Sequence, residues 1–185
     1  SANDLPSGAT VTAGSVDIQS QADGLLINQA TQNAIINWHD FSVGRDRSVH
    51  FNNGSGATLN RVTGPHISRI DGSLSATGSL YLVNQHGIVI GKDGVVKTGG
   101  SFVASTLDIS NEDFLDGGNL TFKGDANTKI INQGKVGSLG GDVAFISRHI
   151  VNEGSISAPN GSVGLAVGRE VLLQDAELDG GEFLV

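Results

Sequence analysis

The sequence predicts an all-β chain wound as a parallel β-helix, and three observations carry that prediction. Of the 185 residues, 27 are glycine and only three are proline; the glycine share is about twice the usual 7%. The apolar residues fall in short runs rich in valine and isoleucine. Between Leu80 and Ser110 the runs Leu80–Val83, Ile88–Ile90 and Phe102–Ala104 are separated by Gly87, Gly91, Gly94 and the pair Gly99–Gly100. None is long enough for an ordinary helix, and β-branched residues favour strands. Finally, a pattern of glycine, any residue, apolar, any residue, apolar recurs. It reads GSLYL (78–82), GSFVA (100–104), GNLTF (118–122), GDVAF (141–145), GSVGL (161–165) and GEFLV (181–185), at steps of 22, 18, 23, 20 and 20. A period near 20 made of short strands and glycine turns is a solenoid signature. Leucine-rich repeats have a similar period, but their fixed leucine frame is missing.

In order along the chain, residues 1–30 hold three weak strand patterns, at Val11, at Val16 and Ile18, and at Leu25–Ile27. They read as opening strands that cover one end of a larger β structure. Residues 34–52 read as a hairpin or as two strands in succession. Ile36 and Trp38 share one face there, and Phe41 and Val43 another. Trp38, the single tryptophan, reads as a core or cap anchor, because one indole buries a large apolar area. Residues 53–79 are turn-rich, with Leu59, Val62, Ile67, Ile70 and Leu74 as isolated apolar anchors.

From Gly78 the repeat takes over. Leu80, Leu82, Phe102, Leu120, Phe122, Val143, Phe145, Val163 and Leu165 are its expected inward positions, stacked coil on coil at about 4.8 Å. A second marker travels with it: INQGKV (131–136) matches VNEGSI (151–156), and VNQHGI (83–88) reads as a variant with one extra residue. Asn132 and Asn152 are expected to stack in a structural ladder, where amides hydrogen-bond along the axis. The expected organisation is one domain over 1–185, with a cap and early coils through residue 77 and regular coils over 78–185. GEFLV stops inside a repeat, so the solenoid is expected to continue in a longer protein.

The formal net charge is −8, which argues against nucleic acid or an anionic membrane surface as partner. There is no cysteine, hence no disulfide framework or thiolate metal site. No apolar run approaches a membrane span or signal core. The five histidines, His39, His50, His66, His86 and His149, have no metal-ligand spacing. His39 and Asp40 are neighbours, but adjacent strand residues point to opposite faces. No nucleophile elbow, P-loop or dinucleotide fingerprint is present. A β-helix polysaccharide lyase or hydrolase needs acidic residues gathered on one face. The residues after the marker glycines are Ser79, Ser101, Asn119, Asp142, Ser162 and Glu182, a polar row with two separated acids. Asp108, Glu112, Asp113 and Asp116 are dense but read as one solvated loop. No catalytic, cofactor or metal site is therefore expected.

The segments NAIINWHDF (33–41), LNRVTGPHISRIDG (59–72), LYLVNQHGIVIGKDG (80–94) and GSFVASTLDISNE (100–112) together resemble a known family. They are similar to the N-terminal secretion domain of two-partner-secretion (TPS) exoproteins, also called the haemagglutination activity domain. The high-molecular-weight adhesins are nearer in pattern than filamentous haemagglutinin. The family's Asn-Pro-Asn-Gly-Ile motif is met by Asn84, Gly87 and Ile88, with Gln85 and His86 in place of the usual proline and asparagine. The resemblance implies a right-handed parallel β-helix with an N-terminal cap and extra-helical strands. It also implies export through the periplasm of a Gram-negative bacterium. There an outer-membrane TpsB-type transporter would recognise the domain through its POTRA domains, with residues 84–88 as the recognition motif. Folding of a monomeric domain outside the cell would then start the β-helix of a secreted or surface-held adhesin. A module that itself binds a host or matrix glycan is the alternative, and a polysaccharide-active enzyme a third.

Overall fold

The computed structural model describes residues 4–176 and 182–184. The chain is nearly all-β and forms a solenoid of about seven turns. Strands β1 (Thr10–Ala13) and β2 (Val16–Gln21) come first, followed by β3 (Gly24–Gln29) and β4 (Asn33–Trp38). The next coil is β5 (Ser48–Asn52), β6 (Ala57–Val62) and β7 (Ser68–Ile70), and the one after it β8 (Ser73–Ala76), β9 (Ser79–Val83) and β10 (Ile88–Ile90). After β11 (Val95–Thr98) and β12 (Phe102–Ser105) the chain leaves the solenoid through β13 (Asp108–Ile109), helix α1 (Asn111–Asp116) and β14 (Leu120–Lys123). It returns as β15 (Lys129–Asn132) and continues through β16 (Lys135–Ser138), β17 (Val143–Ser147), β18 (His149–Asn152), β19 (Ser155–Ser157) and β20 (Val163–Val167). Strands β21 (Glu170–Ala176) and β22 (Glu182–Leu184) are the last.

Three sheets form the solenoid's faces. Face I runs β2-β3-β5-β8-β11-β16-β19, face II β1-β4-β6-β9-β12-β17-β20, and face III β7-β10-β15-β18. Their pairings are parallel, apart from β1 with β4 and β2 with β3, which are antiparallel. Those two strands close the N-terminal edges of faces I and II, and capping an open edge removes a template for unwanted pairing. Residues 34–52 are two strands in succession, β4 on face II and β5 on face I, with Phe41 and Val43 crossing the third side and Val43 bridging to Ile70. The segment 53–79 holds three strands rather than isolated anchors. Its inward positions Thr58, Asn60 and Ser68 are polar yet wholly buried, so the alternation that marks a strand is hidden.

The repeat glycines have a steric cause. Leu80, Phe102, Val143 and Val163 are in register across face II, as are Leu82, Ala104, Phe145 and Leu165. The residues two before the first row, Gly78, Gly100, Gly141 and Gly161, sit where consecutive coils approach most closely. A Cβ on Gly78 would lie 2.3 Å from the Gly56 carbonyl oxygen, and one on Gly161 2.2 Å from that of Gly141. The residues that follow these glycines form an axial ladder. Ser101 N donates to Ser79 Oγ, Asp142 N to Ser101 Oγ and Ser162 N to Asp142 Oδ1, each at 2.9–3.0 Å.

Two of the six repeats lie elsewhere. GNLTF forms β14, which pairs antiparallel with β13 and β21 in a separate four-stranded sheet. A Cβ on Gly118 would meet nothing within 4 Å, so no stacked coil requires that glycine. In GEFLV, Glu182–Leu184 pairs antiparallel with β21 instead of extending face II; Gly181 and Val185 lie outside the described residues. Leu120 and Phe122 therefore face not the solenoid interior but a second core. It lies between the outer side of face II (Leu59, Tyr81, Val103, Ile146) and Phe114, Phe122, Val171 and Leu173 of the outer layer. The solenoid interior is filled by Trp38, Phe51, Leu80, Phe102 and Phe145 among others. Burying each of these large side chains contributes about 2–3 kcal/mol. On the last coil of face II, Val163 and Leu165 are 46% and 49% exposed.

Candidate functional site

The turn Asn84–Ile88 joins β9 to β10 at the corner between faces II and III. Asn84 is completely buried. Its Nδ2 donates to the His66 carbonyl at 2.9 Å and to Ser68 Oγ at 3.0 Å, while its Oδ1 accepts from His86 N at 2.9 Å. Gly87 has φ of 120°, a conformation that L side chains avoid. Ile88 points into the solenoid core. Three of the five motif residues thus build the corner. The other two are presented outward: Gln85 is exposed and His86 half-buried. The Gln85 carbonyl accepts a 2.6 Å hydrogen bond from Thr128 Oγ1, which pins the returning end of the excursion to this turn.

The neighbouring corner of the preceding coils holds His39, Asp40 and His66. His66 Nδ1 lies 2.8 Å from Asp40 Oδ1, and His39 Nε2 3.8 Å from Asp40 Oδ2. The expectation that His39 and Asp40 diverge fails because β4 ends at Trp38, so His39 lies in a bend and Asp40 in an isolated bridge to Ser7. Asp40 also exchanges backbone hydrogen bonds with Ser7, tying the corner to the N-terminal segment. Among the described residues, no group of three or more histidine, aspartate or glutamate side chains could hold a metal ion.

Asn132 and Asn152 stand in register on β15 and β18, and Asn132 Nδ2 donates to Asn152 Oδ1 at 3.0 Å. The ladder bond exists, but Asn84 is not part of it. Asn132 is in register with Ile90, at the corner from face III to face I, whereas Asn84 is at the corner from face II to face III. The likeness of VNQHGI to INQGKV is local and does not reflect stacking. Trp38 is 1% exposed, meets Phe41 edge-on at a centroid distance of 5.5 Å, and donates from Nε1 to Asn60 Oδ1 at 2.9 Å. Tyr81 and the six phenylalanines between Phe41 and Phe145 are buried as well. None of these rings is offered to solvent as a sugar-stacking platform.

Two features escape the sequence reading. The acidic stretch 111–116 is a helix, not a loop. Ser110 Oγ caps it by accepting from Asp113 N at 3.1 Å, and Gly117 ends it with φ of 71°. The signal was the capping pattern of serine followed three residues later by an acid. The other is Arg61. From face II its guanidinium reaches Asp108 Oδ1 at 2.9 Å, Asn111 Oδ1 at 2.9 Å and the Ile109 carbonyl at 2.6 Å. It holds the excursion against the second core, so two motif segments distant in sequence meet at one side chain. Arg61→Gln is expected to lower stability by about 1–3 kcal/mol. Hydrogen exchange should show the loosening centred on residues 106–128; uniform protection would count against a local clamp.

The chain matches the family model described as TPS secretion domain over residues 2–181. It is 32% identical over 178 residues to a heme/hemopexin-binding protein of Haemophilus influenzae strain Rd, a match covering 91% of this chain and 20% of that protein. A second heme/hemopexin-binding protein from Haemophilus influenzae is 33% identical over 109 residues, covering 57% of this chain and 12% of the relative. The crystal structure of the HMW1 secretion domain from Haemophilus influenzae superposes with a TM-score of 0.82 at 36% identity, covering 91% of this chain and 46% of that one. The match thus spans about a fifth of the first of these relatives, 12% of the second and under half of the HMW1 chain. No helix among the described residues is long and apolar enough to cross a membrane. The solenoid agrees with these likenesses, and the chain belongs to the TPS secretion domain family, the secretion module of two-partner-secreted exoproteins.

Proposed function

We propose that this domain is recognised in the periplasm by the POTRA domains of a cognate outer-membrane TpsB-type transporter. It is then threaded out and folds at the surface of a Gram-negative cell, nucleating the β-helix of an adhesin. The domain acts as one unit over 1–185. The observation that best supports this is the division of labour in the motif turn: Asn84, Gly87 and Ile88 are committed to the corner, while Gln85 and His86 are held outward on a rigid support. The hydrogen bond from His86 N to Asn84 Oδ1 spans only two residues, so the turn can form locally in a chain whose solenoid has not yet folded. The cysteine-free composition also suits passage as an unfolded chain, since a disulfide would block threading.

The test is export with and without the partner. The domain carrying a signal peptide, expressed beside its transporter, should accumulate in the medium; without the transporter it should remain in the periplasm. Equal amounts outside in both cases would overturn the reading.

A further inference from the structure

Of the protein's two apolar cores, the second depends on the first and the first does not depend on the second. The solenoid core runs from Leu25 to Phe145 and, among the described residues, takes none from β13, α1, β14 or β21. The second core needs both of its sides. The outer side of face II contributes residues from Ile35 on β4 to Ala166 on β20, and the outer layer contributes Phe114, Phe122, Val171 and Leu173 among others. Alone, the outer layer has little to hold it together. β13 is two residues long, α1 six and β14 four, and elements so short are unstable in water without a packed partner. Pairing of β14 with β21 joins Leu120 to Leu173, 53 residues on, whereas stacked coil partners such as Leu80 and Phe102 are 22 apart. Contacts so distant in sequence are slow to form.

The excursion is pinned to the solenoid at both ends. Ser147 Oγ accepts from Thr106 Oγ1 at 2.7 Å and donates to the Thr128 carbonyl at 3.0 Å, and Thr106 and Ser147 are both buried. Between these pins the Phe114 ring meets Tyr81 edge-on at a centroid distance of 5.3 Å, and β14 lies in register with β21. In the chain, β14 comes just before β15, and β21 just after β20. Their pairing therefore ties together the two ends of the segment that forms the last coils, β15 to β20. That is the end of the solenoid at which the inward residues Val163 and Leu165 are half-exposed.

We propose that β13, α1, β14 and β21 form a clasp that closes last. The coils stack first and build the floor of the second core. The excursion, pivoting on its pins at Ser147, and the arriving β21 then shut over that floor and pair with each other. Once closed, the clasp keeps the last coils from peeling off the open end. In the reading above the chain folds after export, so closure waits until residues 170–176 have emerged. That consequence rests on the reading; the clasp itself does not.

The experiment follows refolding of the purified domain from denaturant, so its outcome is independent of any transporter. Trp38, the single tryptophan, lies in the solenoid core, and its fluorescence reports coil formation. Pulsed hydrogen exchange read by mass spectrometry reports where protection appears. In the wild-type chain, residues 33–105 should become protected with the Trp38 signal. Residues 108–123 and 170–174 should follow together, at a rate lower by about threefold or more. Val171→Ala with Leu173→Ala should leave the Trp38 phase within about twofold of wild type, because contacts made after the coils stack act on unfolding. In the native state the same variant should speed exchange in residues 108–123 and in β18–β20 by about tenfold or more. Leu172→Ala, on the same strand but 40% exposed, should change neither. Protection of 108–123 together with or before the coils in the wild-type chain would overturn the clasp. So would a double alanine variant that slows the Trp38 phase as much as it speeds exchange in the outer layer.

Discussion

Gly78→Ala is expected to destabilise the domain by about 3–5 kcal/mol, in the range reserved for severe steric or core defects, while Gly118→Ala should change stability by less than about 0.5 kcal/mol. The two glycines open the same five-residue pattern, in GSLYL and GNLTF. Neither has a positive φ, so backbone strain does not separate them. What differs is the space a methyl group would find. At Gly78 the Cβ would fall 2.3 Å from the Gly56 carbonyl oxygen, 2.9 Å from Asn53 Oδ1 and 3.0 Å from the Gly54 carbonyl oxygen. Two of those atoms are backbone of the adjacent coil. The third belongs to Asn53, whose Oδ1 already accepts from Gly78 N at 2.7 Å and whose Nδ2 donates to Thr58 Oγ1 and the Ser79 carbonyl. Relief requires the coils to separate, which breaks the parallel ladder between β6 and β9. At Gly118 the surroundings are empty. Chemical denaturation of both variants checks the pair. Equal losses would mean that the repeat glycines answer to local turn chemistry and not to stacking.

The same contrast shows how far the sequence can be read. The solenoid is legible because stacking imposes two local marks at once, alternation along each strand and glycine where coils touch, and both persist through Gly78, Gly100, Gly141 and Gly161. GNLTF carries the same marks for another reason. An antiparallel strand with one buried face also alternates, and Gly118 merely follows the end of α1. Nothing local separates parallel stacking from an antiparallel excursion; the difference lies in which partner Leu120 and Phe122 meet. Segment 53–79 is hard to read for the opposite cause. Thr58, Asn60 and Ser68 occupy core-facing positions and are satisfied there, Asn60 by Trp38 Nε1 and the Tyr81 carbonyl, so buried strands resemble turns. In the candidate site, the importance of Asn84 can be read from the motif, but its bonding cannot, because its partners His66 and Ser68 lie a coil away. Arg61 gives no signal at all; its partners in the excursion are 47 to 50 residues further on, and Asn37 is 24 residues back.

Asn84→Ala is expected to cost about 2–4 kcal/mol, since it leaves the His66 carbonyl, the Ser68 hydroxyl and His86 N each short of a partner in or near the interior. Serine in its place could restore at most one of those bonds, so Asn84→Ser should recover only part of the loss. Because this residue is fully buried, a transporter can sense it only through the turn it shapes. Gln85 and His86 are placed differently: replacing both by alanine removes no buried contact and should move stability by less than about 0.5 kcal/mol. Measuring unfolding and secretion on both variants separates two ways of failing to export. If the motif acts on the partner, Gln85→Ala with His86→Ala lowers secretion at unchanged stability, and Asn84→Ala lowers both. If the motif serves only to turn the corner, secretion tracks stability across the two variants, and the double alanine chain is exported like wild type. The second pattern would leave the turn a structural element and shift recognition wholly onto the surfaces around it.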